Sequence, residues 1–255
     1  MLKGERINKI MMMLKEHGSV NVHDLSKHFG VTEMTIRRDL EEIQDGDFIS
    51  RIYGGAVYKT SDLRNNEMPT LNRMELMRDE KVRIAKKAAE LIQPEETVFL
   101  GSGTTTFYVA QELKNRNDIT IVTNSLIIIN ELATGCDANL IVVGGFLRRS
   151  EFSMIGHYAN DMIKDLHVDK LISGAKGIHA RFGLTSNHPY ELVTDQALLG
   201  ISEKIIIVAD HTKIGYVAAS RTAHIEPPLT IITTKDAAPK MIESIRNKKV
   251  EIILV

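Results

Sequence analysis

The chain has 255 residues, enough for two domains of ordinary size. Its 25% charged and 43% hydrophobic residues are those of a soluble globular protein, and a net charge of −1 supplies no bulk attraction for any partner. The lack of Trp and the 5% aromatic content argue against broad stacking platforms for single-stranded nucleic acid, and a single cysteine, Cys136, excludes an intrachain disulfide.

Ile7, Ile10, Met11 and Leu14 recur at helical spacing and predict a first helix that Gly18 ends. Met11 to Leu14 is a short apolar run flanked by Lys9 and Lys15, which is neither a signal peptide nor a membrane span. The single cysteine and the lack of such segments lead to the expectation of a cytoplasmic protein. Leu25 and Phe29 share a face of a second helix, and Gly30 suits its end. Thr32 is placed to cap a third, in which Ile36, Leu40 and Ile43 form one apolar stripe. The three stripes predict one small core.

With that stripe inward, Met34, Arg38 and Glu42 face outward, and Thr35 and Arg37 lie on the flanks. Phe48 to Tyr53 alternates as a strand does. Gly54 and Gly55 then allow a tight turn before Ala56 and Val57, so the ribbon reads as a wing. Helix, turn, helix and ribbon in this order present the third helix to the major groove of DNA. Its amino-terminal end suits phosphate, and Arg suits a guanine edge or a phosphate. Arg37 is equally able to pair with Glu33 or Glu41 on a solvated face. The first sixty residues carry nine Lys and Arg against nine Asp and Glu, so only the local placement of Arg37, Arg38 and Arg51 argues for DNA. A neutral module of this kind needs a dimer to bind firmly.

From Tyr58 to about Met77 the chain is polar and Pro69 interrupts it, which predicts a connecting segment over 59–77 between domains 1–58 and 78–255. Beyond it, apolar runs alternate with helical patterns. Strands are predicted at Thr97–Leu100, Ile119–Thr123, Leu140–Val143, Asp169–Ser173, Lys204–Ala209, Leu229–Thr233 and Glu251–Val255. Helices are predicted at Glu80–Ile92, Thr104–Leu113, Ser125–Ala133, His157–Leu166, Leu192–Ile201 and Ala237–Asn247. Nearly solid Ile/Val/Leu strands alternating with helices predict an α/β fold with a mainly parallel sheet.

In such sheets ligands bind beyond the carboxyl ends of strands. There the chain places Gly101, Ser102, Gly103, Thr104, Thr105 and Thr106, then Asn124 and Ser125, Gly144 and Gly145, Ser173 to Gly177, and Asp210 to Lys213. Glycines, hydroxyls and a helix start make the first loop a phosphate cradle, although it is neither a Walker loop nor G-x-G-x-x-G. Lys213 offers a point charge for a phosphate. Taken singly, each loop is also ordinary turn chemistry; five of them on one side point to a pocket. The histidines are scattered without a metal-ligand spacing, so no metal or cofactor is expected.

Two stretches resemble a known family. Arg6-x3-Ile10-x3-Leu14, Thr32-x2-Thr35-Ile36-Arg37-Arg38-Asp39-Leu40 and Arg51-Ile-Tyr-Gly-Gly-Ala56 are similar to the amino-terminal pattern of the DeoR family of bacterial repressors. Asp79-Glu80-Lys81, Gly101 to Thr106, Thr123-Asn124-Ser125-Leu126, Gly144-Gly145-x-Leu147-Arg148 and Asp210-x2-Lys213-x-Gly215 look like that family's sensor domain. The resemblance implies a winged helix-turn-helix that meets an operator through Thr32, Thr35, Arg37, Arg38 and Arg51. It also implies a sensor similar in fold to ribose-5-phosphate isomerase, with a phosphorylated sugar as effector. Residue by residue it points to the Gly101–Thr106 loop, Asn124, Ser125 and Lys213. Members often carry Asp at the place of Gly101, and an acidic residue then a Lys after Gly183-Leu184-Thr185, where this chain has Glu191 and no Lys.

The expectation is a homo-oligomeric repressor, dimer or tetramer, of a carbohydrate operon. Two alternatives stand beside it. One is an isomerase of sugar phosphates drawing on Glu191, Asp210 and Lys213, although no compact acid/base motif is present. The other is an adaptor using the helix-turn-helix as a protein contact.

Overall fold

A computed structural model describes residues 3–17, 19–44, 49–52, 55–58 and 70–255, which divide into two compact units, Met1–Met68 and Pro69–Val255. In the first unit α1 (Lys3–His17), β1 (Ser19–Asn21), α2 (Val22–Phe29) and α3 (Glu33–Gln44) precede the ribbon β2 (Ile49–Ile52) and β3 (Gly55–Tyr58). The three predicted stripes do meet: Ile10, Leu14, Leu25, Ile36, Leu40 and Ile43 are buried in one core. Gly30 ends α2 in the left-handed region at φ 63°, and Thr32 Oγ1 accepts the Thr35 N–H at 3.2 Å.

The ribbon corrects one sequence expectation. Gly55 does not belong to the turn; it is the first residue of β3 and pairs with Ile52 of β2 and Asn21 of β1. A Cβ there would collide with the Val20 carbonyl, so the glycine is required by the close approach of β1, a strand the sequence pattern did not suggest.

The second unit begins with α4 (Thr70–Arg73) and α5 (Arg78–Glu90). There follow β4 (Thr97–Leu100), α6 (Thr104–Glu112), β5 (Thr120–Thr123), α7 (Leu126–Leu132), β6 (Asn139–Val142), β7 (Phe146–Arg148), β8 (Ser153–Ile155) and α8 (His157–Lys164). The chain closes with β9 (Lys170–Ser173), β10 (Gly177–His179), β11 (Gly183–Ser186), α9 (Pro189–Leu199), β12 (Ile205–Val208), β13 (Ser220–Ala223), β14 (Leu229–Thr233), α10 (Pro239–Arg246) and β15 (Glu251–Leu254). All seven predicted strands join one sheet, ordered β15-β14-β12-β9-β4-β5-β6 and parallel at every pairing.

Period-two side chains explain how helices cover both faces. Val98, Leu100, Ile206 and Val208 pack with Ile84, Ala88, Val109 and Leu113 of α5 and the α6 region. Their strand neighbours turn the other way: Phe99 and Leu171 pack with Ile163 of α8 and Leu198 of α9, and Ile207 and Ile231 pack with Ile242 and Ile245 of α10. Two small antiparallel sheets, β7-β8 and β10-β11-β13, fall in stretches for which the sequence pattern predicts no strand or helix. Cys136 is half-buried beside the α5–α6 core.

Candidate functional site

The first candidate site is the outer face of α3. Met34 is 62% exposed, and Arg37 and Arg38 are exposed, while Thr35 is half-buried at the capped start of the helix. Arg38 makes no ion pair among the described residues. Arg37 lies 3.3 Å from Glu33, one turn earlier, so the local pairing open to it from the sequence is made. Glu33 also meets His23 at 3.2 Å, and the hydrogen bonds from His23 and then Arg37 hold its carboxyl below the usual range. Arg51 lies in β2 opposite Ala56; its side chain and Gly54 lie outside the described residues.

The face is held by an ion pair that periodicity does not reveal. Asp39 sits between exposed Arg38 and buried Leu40 and is itself 1% exposed. Arg6 of α1 reaches it with a two-pronged grip, Nε to Oδ2 at 2.6 Å and Nη2 to Oδ1 at 3.2 Å. Arg6 and Asp39, quoted above only as part of a family pattern, therefore fix α3 against α1.

The second candidate site lies at the carboxyl edge of the seven-stranded sheet. The order β6-β5-β4-β9-β12 reverses direction in sequence between β4 and β9, which is where open α/β sheets leave a crevice. Because these five strands are parallel neighbours, the loops after each leave from one edge. Gly101 follows β4 and lies against β9: a Cβ there would be 2.8 Å from the Ser173 hydroxyl. Gly103 precedes α6, whose first turn, Thr104 to Thr106, has no side-chain cap. Thr106 turns its hydroxyl back to the Gly103 carbonyl at 3.0 Å, which leaves the helix start to its backbone N–H groups.

Next to it, Asn124 and Ser125 are buried after β5. Asn124 exchanges backbone and amide hydrogen bonds with Met154, at 2.8 and 3.0 Å, and Ser125 bridges Ser153 of β8. Asn124 Oδ1, Ser125 Oγ and Ser153 Oγ are buried with no hydrogen-bond partner among the described residues. Each such group costs about 1–3 kcal/mol if left unmet. Gly145 is closed in, its Cβ position 2.9 Å from Ala159 and from the Ile155 carbonyl, whereas Gly144 borders open space. Gly145 is thus explained by packing.

Asp210 and Lys213 follow β12 in a single 3-10 turn, residues 211–213. The Asp210 carboxylate accepts the Thr212 N–H at 3.0 Å and the Thr212 hydroxyl, so it shapes the turn that carries Lys213. The neighbouring His211 is held by Glu80 of α5 at 2.8 Å, and Glu80 also accepts from Thr234 at 2.8 Å. Burial works to raise the Glu80 carboxyl, but these hydrogen bonds outweigh it and hold it below its usual range. Lys81, one residue on, is 3% exposed. Its burial, opposed by Asp210 and reinforced by Arg73 and Lys213, brings its ammonium down to about 8. A charged residue in register with buried Ile84, Ala85 and Ala88 was the signal that would have found it.

Glu191 opens α9 and pairs with Arg148 of β7. One turn later Asp195 is pushed up to about 8 by desolvation first and then by Glu191, against the pull of Arg148. A native-state carboxyl that keeps its proton above the unfolded value stabilises the fold at low pH and loses that contribution as pH rises toward 8. Asp195→Asn is therefore expected to flatten the fall in stability of the second unit between pH 5 and 8, gaining roughly 1–3 kcal/mol over the wild type at the upper end. Thermal melts at both pH values check this, and parallel slopes for the two proteins would refute it.

Together the two units describe a helix-turn-helix regulator whose second unit is an α/β domain with a polar edge suited to a small anion. Comparison with known families makes this specific. Residues 6–62 match the family description "DeoR-like helix-turn-helix domain", and residues 77–235 match "DeoR C terminal sensor domain". The chain belongs to the DeoR family of DNA-binding transcriptional regulators, not to an enzyme family. It is 35% identical to the glycerol-3-phosphate regulon repressor of Escherichia coli (strain K12), over 84% of each chain. It is 33% identical to the transcriptional repressor AccR of Agrobacterium fabrum, over 96% of this chain and 94% of that one. Among solved structures, ribose 5-phosphate isomerase A from Methanocaldococcus jannaschii is similar at 17% identity and a TM-score of 0.39, over 53% of this chain and 54% of that one. Among the described residues no helix is long and apolar enough to cross a membrane.

Proposed function

We propose that this chain represses a carbohydrate-metabolism operon in the cytoplasm, with residues 1–58 reading the operator and 78–255 sensing a phosphorylated sugar; of the expected connecting segment 59–77, the part from Thr70 onward folds with the sensing unit. The observation that carries the sensing half is the set of unmet buried groups, Asn124 Oδ1, Ser125 Oγ and Ser153 Oγ, on the same sheet edge as the uncapped start of α6 and Lys213. Sugar hydroxyls donate to Oδ1 and accept from serines, while a phosphate suits a helix start and an ammonium. Thr32, Met34, Thr35, Arg37, Arg38 and Arg51, with Gly54 and Gly55 of the wing, are the residues assigned to DNA. The near-neutral first sixty residues favour a dimer or tetramer, in which two modules share the electrostatic work of holding two half-sites. The two similar repressors named above support the same reading.

Thermal melts against a panel of pentose, hexose, amino-sugar and triose phosphates test it. A ligand at a hundred times its Kd stabilises the fold by about 2.7 kcal/mol, enough to move the second unit's midpoint by several degrees. Lys213→Met is expected to weaken that ligand at least roughly tenfold through loss of a charge-assisted contact. The same ligand should alter the mobility shift of a fragment from the gene's own upstream region. A flat panel together with no sequence-specific shift would reject the assignment.

A further inference from the structure

Most of the polar side chains around the start of α3 are already committed within their own unit. Thr32 and Thr35 turn their hydroxyls to each other at 3.0 Å, and Thr32 Oγ1 also accepts the Thr35 N–H, so both serve to close the first turn. Glu33 is held by His23 at 3.2 Å and by Arg37 at 3.3 Å. Further along, Glu42 pairs with Lys3 of α1 at 2.5 Å. Two side chains of the outer face have no such engagement among the described residues. Arg38 is exposed and in no ion pair, and Met34 is 62% exposed. Met11 and Met13 of α1 pack against the core of this unit, whereas Met34 faces away from it. Met34 and Arg38 are four residues apart on one face, about 6 Å along the helix axis.

The residues at the amino-terminal end of a recognition helix are the ones that meet base edges. A thioether has no donor and accepts only weakly, so it gains little from phosphates or from the hydrogen-bonding edges of bases. Among the base edges of the major groove one apolar group is available, the C5-methyl of thymine. The unbranched, polarizable Met side chain adapts to such a contact. Arg38 carries the planar fork that fits guanine N7 and O6. Base pairs are about 3.4 Å apart, so the separation of the two side chains spans about two steps. We propose that Met34 is a specificity-determining residue of the operator contact, and that it reads a thymine methyl about two base pairs from the guanine met by Arg38. Arg37, tied to Glu33, is left to the backbone. This rests on the reading of α3 as the helix that enters DNA and names a base that it selects.

Deoxyuridine in place of thymine is the probe, because it keeps the hydrogen-bonding groups of the base pair and lacks only the methyl. The full chain first selects its site from a random duplex pool. Anisotropy titrations then follow that site with each thymine replaced in turn. At a single thymine of the recognised element the wild type should lose about three- to fivefold in affinity, the contribution of one buried methyl group. Met34→Ala keeps an exposed helix position in a good helix former. It should bind the thymine duplex about as weakly as the wild type binds the deoxyuridine one, and lose nothing further on the exchange. Met34→Leu, which keeps an apolar tip, should restore the discrimination. Guanine replaced by 7-deazaguanine, about two base pairs away, should weaken the wild type and leave Arg38→Ala unaffected. If the pool yields no preferred sequence, DNA reading by α3 and this proposal fail together. If a site is selected, the role of Met34 alone is overturned by a wild type indifferent to every deoxyuridine, or by a Met34→Ala protein that keeps the wild type's sensitivity.

Discussion

Asp39→Ala should all but abolish the folded state of the amino-terminal unit while leaving the sensor unit intact. The change strands the Arg6 guanidinium, whose side chain is only 9% exposed, against the core of Ile10, Ile36 and Leu40. Removing one partner of a buried pair costs about 3–5 kcal/mol because the other charge is left unmet. A unit of this size has little stability to spare, since small domains bury proportionally less surface. Hydrogen exchange on the full chain reads the effect directly: protection in α1 and α3 should fall by roughly two to three orders of magnitude, with the β4 and β9 amides of the same molecules as the internal control. The Arg6→Met, Asp39→Leu double change should recover most of the loss, because a buried pair replaced by apolar residues of similar size is often neutral or stabilising. Unchanged protection in Asp39→Ala would mean that the pair does not hold α3.

Arg38→Ala should weaken operator binding by roughly ten- to a hundredfold, or about 1–3 kcal/mol, with folding unchanged. Arg38 is exposed, unpaired among the described residues and on the same outer face as Met34, so it has no partner to give up if it is to meet a base. Arg37 is in a different position. It must leave Glu33, an exposed helix pair of modest value, before it can engage DNA. Arg37→Ala is thus expected to cost less, uniformly across sequences, and to reduce the salt slope by about one counterion. Anisotropy titrations of both variants against the upstream fragment and a scrambled duplex, at two salt concentrations, separate these outcomes. If Arg38→Ala bound both duplexes as the wild type does, the helix-turn-helix would be better explained as a protein contact.

Much of this architecture was legible from residue order. Helical spacing at Ile10/Leu14, at Leu25 and at Ile36/Leu40/Ile43 located three helices and their common core, because an amphipathic helix carries its burial pattern within its own sequence. The strands of the parallel sheet were visible for a similar reason: strands covered on both faces are largely apolar, as Ile205–Val208 is throughout. Strand ends named the loops at Gly101, Asn124 and Lys213.

What the chain alone did not disclose are the short, mixed strands and the long-range polar contacts. The Phe146–Arg148 and Ser153–Ile155 hairpin and the three-stranded sheet around Gly183–Ser186 have no repeating pattern of their own, and they form because neighbouring parts of the fold supply their partners. Gly55 was assigned to a turn because nothing local announces that the Val20 backbone lies against it. Arg6 with Asp39, and Arg73 with Glu151, join residues 33 and 78 positions apart. Periodicity records which way a side chain faces; it carries no information about which distant charge it meets. The sequence by itself therefore determined the modules, their helices and the edge where a ligand would sit. Only the tertiary structure decided which polar groups there are satisfied, which are left unmet, and that Lys81 is among the buried charges.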